Sequence, residues 1–410
     1  MKALGPIPAG FGVLGGELAI DGVGASELVE RAGDTPLFAY SEPMIAARVA
    51  RLRAAMPARL AIHYAVKANP YAPLLKAMAG LVDGFDIASG GELAMVAAAG
   101  ISADRISFAG PGKRDIELEA AIRLGVTLNL ESAGEAARAL AVAERLGVTP
   151  RLAVRVNPSF DLKGSGMKMG GGAKQFGIDA DKVPEVVRSI RDAGADWRGL
   201  HIFAGSQALD PAAISETQAQ TLALAASIAE AVGAPLPKLN LGGGFGIPYF
   251  PGDTDLDVEL IGKKLEEKFA NITEAIVNTD FCIELGRWLV GEAGVYLTRI
   301  VDRKESHGEV FLVTDGGLHH QLAASGNFGT VVRRNYPVAI ASRFDQPHTE
   351  EASVVGCLCT PLDRLADKAL FPHADVGDIV AVFCAGAYGA SASPAAFLGQ
   401  GPARELWLPG

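Results

Sequence analysis

Residues 61–70 read AIHYAVKANP. Ile62, Tyr64 and Val66 supply the β-prone apolar and aromatic bulk of a short buried strand. Lys67 follows, and Ala68-Asn69-Pro70 stops the strand, because the residue before a proline is pushed out of helical geometry. A lysine in that position is either a solvated loop charge or a working amine. For the segment alone the surface reading is the commoner one; the rest of the chain reverses it.

Outward from this segment, strand and helix alternate. Strand-like runs fall near 61–66, 84–87, 105–109, 126–130, 151–156, 199–203, 238–242 and 281–285, with helical patterns clearest at 113–124, 132–146, 211–232 and 258–277. Ser89 with Glu92, and Ser132 with Glu135, have the spacing of a capping box, and Ser41 caps a helix that carries Pro43 in its first turn. Eight strands with intervening helices are what a parallel (β/α)8 barrel requires, and that barrel is assigned to residues 36–285. An open doubly wound sheet competes with it on strand count alone. The glycine-rich loop 157–177, with Lys163, Lys168 and Lys174, follows the fifth strand and reads as functional or mobile.

After about residue 286 helical periodicity fades. Val295–Val301, Val310–Val313, Ser353–Leu358, Ile379–Phe383 and Glu405–Leu408 read as strands of a second, β-rich domain over 286–410, to which residues 1–35 add a strand.

Composition narrows the function classes. The 410 residues are 49% hydrophobic and 20% charged, with a net charge of −10. An acidic chain points away from nucleic acid and anionic membrane and toward a small molecule or a protein. Cys282, Cys357, Cys359 and Cys384 are too sparse for a disulfide framework, and Cys357-Leu-Cys359 is too close-spaced for a zinc site, so no metal is expected. The first residues lack the continuous apolar core of a secretory signal and no run of 18 uncharged apolar residues occurs, so the expected location is the cytoplasm.

In a barrel the active site lies where strands end. Lys67, Asp86, Arg155 with Asn157, His201, Gly242-Gly243-Gly244 and Glu284-Leu285-Gly286-Arg287 close six of the strands. Glycines of this kind let backbone N–H groups approach a phosphate, Arg287 adds a guanidinium and Ser206 a hydroxyl. A phosphate site, an amine and an acid together point to pyridoxal 5'-phosphate. Lys67 supplies the Schiff-base amine, Glu284 faces the pyridine nitrogen and makes the ring an electron sink, and His201 stacks on its face.

Nine ordered motifs carry a family resemblance. They are YAVKANP at 64–70, FDIAS at 85–89, RVNP at 155–158, HIFAGSQ at 201–207, LGGGFG at 241–246, ELGR at 284–287, DGG at 315–317, GCLCTPLD at 356–363 and GAYG at 386–389. From about residue 35 to the end, the chain resembles the fold-type III pyridoxal-phosphate decarboxylases, of which diaminopimelate and ornithine decarboxylases are familiar members. The resemblance implies an alanine-racemase-like TIM barrel with a C-terminal β domain. It also implies Lys67 as the Schiff-base lysine and a cofactor held by Asp86, Arg155, His201, Ser206, Gly242, Gly243, Gly244, Glu284, Gly286, Arg287 and Tyr388. Further, it implies a head-to-tail homodimer with shared sites, in which Cys359 enters the partner's site as the proton donor. Arg287, Asp315, Cys359, Thr360 and Tyr388 are then the substrate-facing residues.

Departures from the pattern concern the substrate. Thr360 stands where diaminopimelate decarboxylases carry a glutamate for the distal amino group, and an ungapped reading finds Ala323 and Asn327 where they place an arginine and a tyrosine. HIFAGSQ contains an inserted-looking Phe203-Ala204 relative to the usual HIGSQ. A buried cation without a carboxylate partner is strongly disfavoured, so the expected substrate lacks a distal ammonium or is an aminoacyl group on a carrier protein, for which Arg333-Arg334 could meet an acidic partner. The alternatives are meso-diaminopimelate decarboxylation, an amino-acid racemase, which Glu284 argues against, and a non-catalytic regulator, which intact Lys67, Glu284 and Cys359 argue against.

Overall fold

A computed structural model of the chain describes residues 1–326 and 334–410; Asn327 and Arg333, singled out above, lie outside the described residues. The chain divides into two compact units. One comprises residues 49–246 and 256–286, the other residues 1–48, 247–255 and 287–410.

The first of these is a closed eight-stranded parallel barrel. Its strands are β1 (Leu60–Ala65), β2 (Gly84–Ile87), β3 (Ile106–Phe108), β4 (Thr127–Leu130), β5 (Arg151–Asn157), β6 (Asp196–Ile202), β7 (Lys238–Gly243) and β8 (Asp280–Leu285). Each pairs with its neighbours in sequence, and β8 closes on β1. Closure rules out the open sheet, and all eight strands fall where the sequence places them. Along them apolar residues alternate with small or polar ones, as in Leu60-Ala61-Ile62-His63-Tyr64 and Lys238-Leu239-Asn240-Leu241, the period-two pattern of a strand. Residues of adjacent strands come level at their carboxyl ends, with His201 beside Arg155, Gly243 beside Glu284, Glu284 beside His63, and Ala65 beside Asp86.

Local signals set the helix ends. Ser89 Oγ accepts from Glu92 N at 3.1 Å and Ser132 Oγ from Glu135 N at 3.0 Å. The two glutamates return to the amides of Ala88 and Glu131, one residue before each cap. Gly125, Gly147 and Gly233 end their helices in the left-handed conformation that favours glycine.

In the other unit Gly294–Ser306 is the long central strand. It pairs with Leu37–Ser41, Glu309–Thr314 and Ile379–Val382. Glu350–Val355 pairs with Glu309–Thr314, and Arg404–Leu408 lies parallel to Leu37–Ser41. Residues 11–24 form a separate three-stranded antiparallel sheet, whose Leu18 and Ile20 share an apolar core with Leu37, Val295, Leu297, Ala381 and Phe383. Where one strand is expected from residues 1–35 there are three, Leu37–Ser41 is a further strand, and two later strands also escape the sequence reading. Val338–Ile340 has only three residues, and Arg364–Phe371 is interrupted by Asp367 and Lys368, whose bonds to Asn335 and Ser353 come from tertiary structure. No helix among the described residues is long and apolar enough to cross a membrane.

Candidate active site

Lys67 is carried by the turn Val66–Ala68 rather than by β1 itself, which ends at Ala65. Tyr64 anchors that turn through a 2.8 Å hydrogen bond from its hydroxyl to the carbonyl of Asn69. The amine at the barrel's carboxyl end lies 3.3 Å from Glu284 Oε1, and the other carboxylate oxygen, Oε2, is 3.0 Å from His201 Nε2. Glu284 and His201 are buried, whereas the Lys67 side chain is 42% exposed and so open to a reaction partner. Burial alone would raise the pKa of Glu284. The Lys67 charge, the His201 hydrogen bond and the Arg155 guanidinium outweigh it and hold the carboxyl far below the usual range. An acid kept ionised beside an amine is the pair a pyridine nitrogen and a Schiff base need.

Arg155 and Asp86, both expected to hold the cofactor, have protein partners of their own. Arg155 donates to Glu131 Oε1 at 2.9 Å, and its guanidinium lies 4.9 Å over the Phe176 ring. Glu131 also accepts from the amides of Gly110 and Gly177, fastening the end of loop 157–177 to the barrel. Burial pushes against its ionisation, but Arg155 and the two amides keep its carboxyl low. Asp86 Oδ2 is 3.0 Å from His63 Nδ1, and Lys238 Nζ reaches the other ring nitrogen at 2.9 Å. Asp86 Oδ1 remains buried without a hydrogen-bond partner.

The glycine run does more than the sequence reading asked of it. A Cβ at Gly243 would lie 1.9 Å from the carbonyl oxygen of Glu284, so only glycine lets β7 approach β8 where the acid sits. At Gly244 it would lie 2.2 Å from the Gly205 carbonyl, which brings the glycine run beside Gly205-Ser206. The Gly242 and Gly246 amides are occupied by Asn240 and Ala208. Ser206 pairs with Met167 and Gly205 with Lys168, so loop 157–177 folds back onto this segment.

Three residues that the sequence reading passed over belong to this site. Glu131 follows β4 directly, and applying the strand-end rule to all eight strands finds it. Glu92, read above only as a cap, feels the charge of Lys67, while burial raises its pKa. Phe203, read as part of an insertion, has its ring centroid 5.4 Å from Lys67 Nζ.

The other predicted residues lie in the second unit. Arg287 donates to Tyr249 Oη at 2.6 Å and lies 4.6 Å over the Tyr388 ring, while its buried Nε has no partner. Burial pushes the Tyr249 hydroxyl up to about 12, keeping it protonated. Tyr388 adopts a positive φ of 58°, a strained conformation for an aromatic residue. Cys359 is exposed, in a loop held by Asp363, whose Oδ1 accepts from Leu318 N at 2.7 Å and Oδ2 from Leu358 N at 2.9 Å. Thr360 is a turn residue of that loop, with Oγ1 toward Leu362 N. Asp315, expected at the substrate, has both oxygens engaged, by Thr298, the Arg299 amide and Thr35. Arg334 lies 3.8 Å over Phe250, and Ala323 is in the short helix Leu322–Ser325.

The donor set fits pyridoxal phosphate. In the barrel unit an accessible amine stands beside an ionised buried acid, the glycine turn tolerates no side chain, and polar atoms of Asp86 and His201 are buried without partners. Among the described residues no cluster of His, Cys, Asp and Glu could hold a metal. Comparisons with known proteins agree. Residues 43–291 match the family described as pyridoxal-dependent decarboxylase, pyridoxal binding domain. The chain is 37% identical over 381 residues to the L-glutamyl-[BtrI acyl-carrier protein] decarboxylase of Niallia circulans, covering 91% of this chain and 88% of that protein. It is 32% identical over 389 residues to the diaminopimelate decarboxylase of Methanothermobacter thermautotrophicus, with 92% and 87% covered. Its fold matches the crystal structure of Helicobacter pylori diaminopimelate decarboxylase complexed with L-lysine, with a TM-score of 0.81, 26% identity, and 93% and 94% of the two chains covered.

Proposed function

The chain belongs to the fold-type III pyridoxal-dependent decarboxylases, and on that premise we propose that its substrate is an aminoacyl group on a carrier protein, or an amino acid without a distal ammonium. It is a carboxy-lyase that uses pyridoxal phosphate. Bound there, the cofactor supplies an electron sink for the bonding pair left when the α-carboxylate departs as carbon dioxide. Lys67 would hold the cofactor covalently, and Glu284 would keep its ring nitrogen protonated. Ser206, Gly243 and Gly244 would take its phosphate, as would Arg287 and Tyr388. Cys359 would deliver a proton to the α-carbon in a partner subunit's site, a role that its exposure supports.

The Cys359 loop carries the substrate claim. A distal ammonium would need a carboxylate there, yet Thr360 has none, and Asp363, the acid of that motif, is consumed by the Leu318 and Leu358 amides. The L-glutamyl group in the name of the Niallia circulans relative fits the same expectation. Carbon dioxide release should be compared across free L-amino acids, meso-diaminopimelate and aminoacyl groups on a phosphopantetheinylated carrier protein. Carrier-linked turnover is the expected result. Preferential turnover of meso-diaminopimelate would replace this substrate with that of the other relatives.

A further inference from the structure

We infer that the aromatic face against which the cofactor ring lies is Phe203, and that His201 acts instead as the positioning residue of Glu284. The inference rests on Lys67 being the cofactor amine and goes on to assign its neighbours.

His201 and Phe203 are two residues apart in an extended segment, so their side chains project to the same side, with Phe203 one step nearer the carboxyl end. β6 pairs in register with β5 through His201 and Ile202, without a bulge at that point. Phe203-Ala204 therefore continues the strand direction, and Phe203 is delivered to the level of the active-site turn. There its ring centroid is 5.4 Å from Lys67 Nζ.

His201 lies one layer deeper, and its ring edge is already committed. Nε2 is 3.0 Å from Glu284 Oε2, which aims the imidazole edge-on at the carboxylate that would meet the ring nitrogen. The two aromatic rings are nearly parallel, at 22°, with centroids 6.5 Å apart. Phe203 is 8% exposed and lies against Gly242, where a Cβ would come 2.5 Å from the Ile202 carbonyl oxygen and 3.2 Å from Phe203 Cα, so glycine lets the two segments approach. A benzene ring built into the wall beside the amine offers a flat, uncharged surface to a cofactor ring. A histidine held by the acid keeps that acid ionised and oriented. The departure in HIFAGSQ is thus a division between two residues of roles that the motif reading gave to one histidine.

The test uses the full-length chain, stripped of cofactor and reloaded with pyridoxal 5'-phosphate. Affinity is measured by equilibrium dialysis and the Schiff base by its visible absorption band and induced circular dichroism. F203L keeps an apolar side chain of similar size and loses the aromatic face. Its expected affinity is about ten-fold weaker with a diminished induced signal, whereas F203Y stays within about two-fold of the unaltered chain. H201N keeps a donor for Glu284 and loses the imidazole ring, and its affinity is expected to stay within about two-fold. Thermal melts of the stripped variants control for folding, and F203M, which also keeps an apolar side chain and removes the ring, decides the matter if F203L is unstable. Unchanged affinity in F203L together with weakened binding in H201N would overturn the assignment and return the ring face to His201. A visible band that persists in K67A would overturn the cofactor reading and this inference with it.

Discussion

Asp363 offers the sharpest test of how the Cys359 loop is held. Its carboxylate is 2% exposed and accepts the Leu318 amide at 2.7 Å and the Leu358 amide at 2.9 Å, joining the DGG segment to the cysteine loop. Both neighbouring glycines exist for it: a Cβ at Gly317 or Gly356 would come within 2.2 Å of its oxygens. D363N preserves shape and one acceptor, but turns an amide NH2 toward a backbone N–H that has no alternative partner. A hydrogen bond to a charged acceptor is worth about 1.5–3 kcal/mol, and an abandoned buried donor costs about 1–3 more. The expected loss is about 2.5–6 kcal/mol, a fall in melting temperature on the order of 10 °C for a unit of this size. Calorimetry of the stripped chain measures it. The alkylation rate of Cys359 by iodoacetamide, corrected with a C359S control, reports loop release directly and should rise several-fold. A melting temperature within about 2 °C of the unaltered chain, with an unchanged alkylation rate, would refute the clamp.

Two other perturbations read the barrel. E284Q keeps the size of a side chain that lies 3.3 Å from Lys67 and 3.0 Å from His201, yet removes the charge proposed to hold the ring nitrogen protonated. Single-turnover carbon dioxide release should fall by about 10² or more while the Lys67-dependent visible band survives, and near-normal turnover would remove Glu284 from its role. Glu117 accepts the Gly90 and Arg114 amides at 2.8 and 3.0 Å; the Arg114 amide first, then the Gly90 amide and the Arg114 side chain, bring its carboxyl down to about 2 against the opposing effect of burial. A carboxyl depressed in the folded state stabilises above its unfolded pKa of about 4.3, and that contribution fades as pH falls toward about 2. Discounted for solvent, it amounts to about 1 kcal/mol. Urea unfolding should therefore show E117Q less stable than the unaltered chain at about pH 6 and equal to it near about pH 2, and a gap that persists at the acid end would contradict the linkage.

Fold and chemistry were legible to different depths. The eight barrel strands could be read because each is a local run of β-prone residues, and Ser89, Ser132 and the three C-terminal glycines mark helix ends within a few residues. Val338–Ile340 could not, being only three residues long, nor could Arg364–Phe371, whose apolar run is interrupted by Asp367 and Lys368.

AIHYAVKANP by itself determined that a strand ends in a lysine-bearing turn. The ordered motifs determined the family, the cofactor and which residue types meet at the strand ends. Only tertiary structure decided who touches whom. It gave Glu284 to both Lys67 and His201, spent Asp86 on His63 and Asp315 on Thr35 and Thr298, and set Phe203 beside the amine. The physical reason is that a side chain's alternation along a strand is local, whereas its partner depends on register between strands remote in sequence. Gly243 against Glu284 is the clearest case: the glycine is plain in the sequence, and the carbonyl it makes room for, on the neighbouring strand, is not.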